Sequence, residues 1–127
     1  MQFLTDRKRA QGMGAGRAGT HHHWQMMLSS AALVILVPLF VFTFGRALGG
    51  TYEEALAYYS RPFPAIVMGL TLVVVVPHLL REAQEAIEDY VHGVAEKLAL
   101  MAARAFAYTL IAAGLFALAR LALGYAQ

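Results

Sequence analysis

The sequence predicts an all-α integral membrane protein with three transmembrane helices. Two observations predict it. Of the 127 residues, 59% are hydrophobic and only 14% charged, a balance that suits lipid as the solvent rather than water. Three apolar runs, at residues 26–44, 62–80 and 98–123, each match the ~20 residues a helix needs to cross ~30 Å of hydrocarbon. The expected organisation is an N-terminal arm over 1–25 and a three-helix membrane domain over 26–127, with spans about 26–48, 62–91 and 98–123. The chain has no cysteine, which excludes disulfides, thiolate metal sites and cysteine nucleophiles; a metal would need histidine or a prosthetic group.

Residues 1–20 are basic and glycine-rich, with Arg7, Lys8, Arg9 and Arg17 against one acid, Asp6, and read as a flexible cytoplasmic arm. The apolar run behind them is too long for the core of a cleaved signal and holds no small-residue cleavage site, so it is expected to stay as an anchor. His21, His22, His23 and Trp24 directly precede that run and form an interfacial cluster. The first span holds nothing more polar than Ser29, Ser30 and Thr43, and is closed by Gly45, Arg46, Gly49 and Gly50. The second is rich in valine and contains Pro77, which removes a backbone donor and favours a kink. In the third, Arg104 and Arg120 lie near the ends, where long side chains snorkel to the interface. Trp24, Tyr52, Tyr58 and Tyr59 border spans and suit an aromatic belt. Four basic residues in the arm against two, Arg46 and Arg61, in the first loop put the N terminus in the cytoplasm. The segment 81–97 then also faces the cytoplasm, and the C terminus the periplasm.

His78 is the residue that calls for a function. An ionisable ring at membrane depth is costly, and its default reading is a working residue with a partner or bound ion. No helix breaker intervenes before Gly93, so the second helix is expected to run on past the bilayer core. Eleven residues at ~100° each return to within ~20° of the starting direction, so His78 and Asp89 share a face ~16 Å apart along the axis. Glu82, Glu85 and His92 are expected on that face too. An imidazole nitrogen is an axial ligand for haem iron, which needs no thiolate. His78 alone lies at that depth, so a second histidine ligand would come from another polypeptide or copy. The alternative is that His78 hydrogen-bonds a neighbouring helix. His21, His22 and His23 can reach a haem propionate or a lipid phosphate, or stay solvated. For Glu82, Glu85 and Glu88 a solvated helix face outweighs catalysis. The Tyr90 hydroxyl can donate to a carbonyl of a lipid-soluble ligand with Asp89 beside it, although an aromatic-belt tyrosine next to a surface acid is the reading that the residues alone favour.

Over nearly its whole length the chain resembles the small hydrophobic membrane anchors of bacterial succinate dehydrogenase, the cytochrome b anchor family. The resemblance rests on Gly19-Thr20-His21-His22-His23-Trp24 ahead of the first helix, on three spans, and above all on His78 followed eleven residues later by Asp89-Tyr90-Val91-His92. It implies that His78 is an axial ligand of haem b, paired with a histidine of a sister cytochrome b subunit. It also implies that Tyr90 hydrogen-bonds ubiquinone, with Asp89 beside it. The partners it implies are that sister subunit, an iron-sulfur subunit, a flavoprotein subunit and the lipid of the bacterial inner membrane. Two positions depart from the family. Met27 stands where members often carry an arginine, shortly before the Ser/Thr that Ser29 matches, and Glu82 stands where members commonly have glycine. Arg81, beside Glu82, can offset its charge.

The expected role is a non-catalytic anchor of a succinate:quinone oxidoreductase, holding cofactors and docking the soluble subunits. The chain carries no flavin or nicotinamide fingerprint, nucleophile triad or phosphate loop of its own. Two rivals are an anchor of a fumarate reductase and a non-redox membrane scaffold or transporter subunit in which His78 only bridges helices. Nucleic acid is not an expected partner, since the few basic charges of the arm fit membrane orientation. Arg104 and His92 are weaker candidates near the quinone or interface lipid.

Overall fold

The computed structural model describes residues 3, 5–12 and 17–124. Of the arm expected over 1–25, residues 1, 2, 4 and 13–16 and the side chains of Gln11, Arg17 and Ala18 lie outside the described residues. What is described is helical almost throughout. Helix α1 is Asp6–Gln11 and α2 is Arg17–Leu48. Helix α3, Tyr52–Tyr59, occupies the first loop, and α4, Pro62–Leu70, opens the second span. A π-helical turn, Thr71–Val75, joins α4 to α5, Val76–Tyr90, and α6 is Val94–Ala122.

Among the described residues, three helical stretches are long and apolar enough to cross a membrane: Gly19–Leu48, Pro62–Tyr90 and Val94–Ala122. The helices overrun the apolar runs because a backbone that keeps its own hydrogen bonds has no reason to stop where hydropathy falls. They stop where the chain forces them to. Gly49 and Gly50 end α2, and Thr51 then starts α3 with a capping box: its hydroxyl accepts from the Glu54 N–H at 3.3 Å while the Glu54 carboxylate accepts from the Thr51 N–H at 2.8 Å. Pro62 occupies the first turn of α4, where a missing N–H costs nothing. After Tyr90, Val91 is extended (φ −116°, ψ 135°) and Gly93 takes φ 73°, a left-handed conformation that allows the tight return into α6.

Pro77 produces a local rewinding of the helix. Its ring has no N–H for the carbonyl four residues back and would collide with it in a regular α-helix. Instead the preceding turn widens, so that the Val76 N–H bonds the Thr71 carbonyl, and the wider turn makes room for the ring. The extra residue in that turn rotates everything after it by roughly 100° relative to α4. His78 follows immediately, so the π turn sets the direction in which its ring points.

The second span is the centre of the molecule. It packs against α2 on one side and α6 on the other, whereas α2 and α6 do not meet. Accordingly 39% of its apolar window is buried, against 11% for the first span and 6% for the third. The two outer helices therefore leave most of their apolar surface to lipid or to other helices. Between the second span and α6, Gly114 lets Leu72 come close: a methyl on Gly114 would lie 2.5 Å from Leu72 Cδ1. Near α3, the Tyr59 hydroxyl is buried without a hydrogen-bond partner among the described residues. Burial first, and Tyr58 stacked edge-on beside it second, push its pKa above the usual 10.0.

Candidate functional site

His78 stands on the first turn of α5 and is 8% exposed, one of the few buried polar side chains in the molecule. Its Nδ1 lies 2.9 Å from the Ser29 hydroxyl on α2. That hydroxyl is also 3.0 Å from the Met26 carbonyl, to which it donates. A serine has one proton to give, so with the carbonyl taking it, the oxygen accepts from His78 Nδ1–H. The ring is then the tautomer with a free lone pair on Nε2, oriented from behind by a hydroxyl in the way metal-bound imidazoles are. The neighbour of Nε2 is Glu82, one turn along the helix, with Oε1 at 3.7 Å. Its side chain is 56% exposed, so it can swing into solvent and leave Nε2 open. Among the described residues no three His, Asp or Glu side chains converge as a metal-binding group. What His78 offers is a single imidazole donor, which a haem could use as one ligand.

Helix α2 begins well ahead of the apolar run, and this divides the histidine cluster. Consecutive helical residues point ~100° apart, so His21, His22 and His23 address three directions. His21 Nε2 meets the Gln25 amide at 3.1 Å and His23 is exposed. Only His22 faces α5, lining a cavity of about 190 Å³ with Arg81, Gln84, Glu85 and Glu88. Arg81 is half-buried in this region, its Nη1 3.7 Å from the Met26 sulfur. A guanidinium on α5 therefore stands against the part of α2 next to Met27, a contact that the sequence, which pairs Arg81 only with the adjacent Glu82, does not reveal.

Asp89 and Tyr90 end α5. Both are exposed, Tyr90 to 84%, and they lie on the same unbroken helix as His78, ~16–18 Å away along its axis. The structure does not bring them into contact with His78. His92 does not share their face, contrary to expectation, because the helix ends at Tyr90 and the extended Val91 redirects the chain. Arg104 is exposed on α6. Sequence reasoning gives Ser29 only as a match to a family position and misses it as the partner of His78. The one signal is a serine pair, Ser29 and Ser30, in an otherwise apolar run.

The family model for succinate dehydrogenase/fumarate reductase transmembrane subunits matches residues 2–119. The chain belongs to this family. A relative from Paracoccus denitrificans, described as a succinate dehydrogenase hydrophobic membrane anchor subunit, is 41% identical over 124 residues, which cover 98% of this chain and 96% of that protein. No solved structure matches. Membership of the succinate dehydrogenase/fumarate reductase transmembrane family agrees with three helices able to cross a membrane and makes the chain a multi-pass membrane protein. It also accounts for the open arrangement: a family of transmembrane subunits has other chains to cover apolar faces that α2 and α6 leave bare.

Proposed function

We propose that this chain is the membrane anchor of a succinate dehydrogenase, and that it provides one axial ligand to haem b through His78 Nε2 and part of a ubiquinone site through Tyr90 and Asp89. The observation that carries the haem assignment is the Ser29–His78 hydrogen bond, which holds a buried imidazole by Nδ1 and leaves the opposite nitrogen for iron. Haem b, when bound, supplies one-electron redox chemistry inside the bilayer. Every other contribution belongs to the protein. Ser29 orients the ring, Pro77 and the turn before it aim the ring at α2, and the packing of the second span buries all but 8% of it. Arg81 places a guanidinium, and His22 an imidazole, one to two turns nearer the surface, where they would meet haem propionates.

At the end of α5, the exposed Tyr90 hydroxyl donates a hydrogen bond to a quinone carbonyl, and Asp89 fixes that geometry or passes a proton. The family description covers both reaction directions, and the name of the 41% identical relative favours the dehydrogenase over the fumarate reductase. In this reading the arm and the α5–α6 turn face the cytoplasm of a bacterial inner membrane. There they meet the iron-sulfur and flavoprotein subunits, while a sister cytochrome b subunit gives the second haem ligand.

A second reading rests on the same hydrogen bond: His78 and Ser29 tie α5 to α2 and nothing more. Reduced-minus-oxidised absorption spectra of the assembled complex separate the two. The haem reading expects a b-type α band that is lost or shifted in His78→Ala with the subunits still associated. A complex whose b-type band is unchanged by that substitution leaves only the structural tie.

A further inference from the structure

At the opposite end of the spans from His22 and Asp89, two cavities of about 320 and 510 Å³ adjoin, and both are lined by Arg46, Tyr58 and Arg61. We propose that they bind an anionic phospholipid, with the phosphate held by Arg46 and Arg61 and an acyl chain laid along Phe42, Phe63 and Pro64. The position is that of a lipid headgroup. Arg46 is in the last turn of the first span and Arg61 caps the start of the second, so both guanidinia sit where apolar helix gives way to loop.

Neither guanidinium makes an ion pair among the described residues. Glu54, the one acid lining the smaller cavity, is committed to the Thr51 N–H through the α3 capping box. Both arginines are exposed at the hydrocarbon boundary without an internal counter-charge, and their planar forks match phosphate oxygens. The backbone adds little, because Pro62 and Pro64 remove two N–H donors from the first turn of α4. The larger cavity holds no acid, and its apolar lining reaches from the arginines toward the bilayer interior through Phe42 and Phe63, which are 75% and 61% exposed. An anionic head joined to an apolar tail fits that lining, and a free inorganic anion fits only the arginine end of it.

The test is native mass spectrometry of the full chain, assembled with its partner subunits in a neutral detergent, titrated with phosphatidylglycerol, phosphatidylcholine and inorganic phosphate. At about fivefold per arginine, phosphatidylglycerol should bind about 25-fold more tightly than phosphatidylcholine. The Arg46→Gln, Arg61→Gln pair should erase that preference, and the Arg46→Lys, Arg61→Lys pair should keep most of it. Raising the salt on the unmodified complex should shrink the preference without any substitution. Equal binding of the two lipids by the unmodified complex, or a preference untouched by the glutamine pair, overturns the proposal. Displacement of phosphatidylglycerol by inorganic phosphate overturns the lipid assignment in favour of a free-anion site. None of these outcomes depends on haem, so failure here leaves the reading of His78 standing.

Discussion

Ser29→Ala removes the one hydroxyl that holds His78 and changes nothing else in its surroundings by more than an atom. The hydrogen bond is 2.9 Å long and partly buried, between groups on helices separated by forty-nine positions in sequence. A neutral hydrogen bond of this kind contributes about 1 kcal/mol net, and leaving the Nδ1–H unsatisfied raises the cost toward 1–3 kcal/mol. Loss of the outer hydrogen-bond partner of a metal-bound histidine typically costs about 10–100-fold in affinity, which at about 1.4 kcal/mol per tenfold is the same size. Because Ser29 is only half-buried, water can replace part of the bond, and the lower end, about tenfold, is the expected effect. The assay is transfer of haem from the purified complex to an excess of an apo-globin scavenger, followed by absorbance. Ser29→Ala should lose haem about ten times faster than the unmodified complex, and Ser29→Thr, which keeps a hydroxyl at the same carbon, should restore most of the difference. Equal rates for all three would show that Ser29 does not position the ring.

Other substitutions probe other elements of the structure. Tyr90→Phe should leave assembly and haem content unchanged and lower ubiquinone reduction, since only the hydroxyl is lost; unchanged turnover removes Tyr90 from the quinone site. Gly114→Val should force Leu72 out of its packed position and destabilise the pairing of α6 with the second span by about 1–3 kcal/mol, read as a lower midpoint of thermal unfolding in detergent. An unchanged midpoint would mean that the helices separate there without cost. Tyr59→Phe removes a buried hydroxyl that has no partner among the described residues and should hold or raise stability, by up to about 1 kcal/mol. The same change should flatten the alkaline limb of the stability profile. The folded protein binds the Tyr59 proton more tightly than the unfolded chain, so its contribution is full below pH 10 and is lost as pH rises through the raised folded value. A steeper alkaline loss in the phenylalanine variant would contradict that sign.

Hydropathy and length are enough to find the three membrane helices, because satisfying every backbone group in lipid leaves few alternatives to a helix. His78 stands out for the same reason, as an ionisable ring where such rings are expensive. Other features depend on contacts that periodicity does not carry. Pro77 announces a distortion, yet the proline alone does not distinguish a kink from the π turn found at 71–75. The run His21–His23 reads as one cluster in sequence, and helical geometry separates it into three directions with only His22 turned toward α5. The face shared by His78 and Asp89 follows from spacing, but His92 leaves it as soon as Val91 becomes extended. The α3 helix lies in a stretch that hydropathy marks as a loop, and its Thr51–Glu54 capping box emerges only with the structure. Ser29 needs the fold: its partner lies on another helix, and nothing local to either residue names the other.

Whether His78 Nε2 ligates a haem iron is decided by an experimental density map of the assembled complex. That map should contain a porphyrin with His78 Nε2 at coordination distance from its iron, Glu82 swung away, and Ser29 still bonded to Nδ1. A map in which the His78 ring remains against Glu82, with packed side chains where the porphyrin should be, would overturn the assignment.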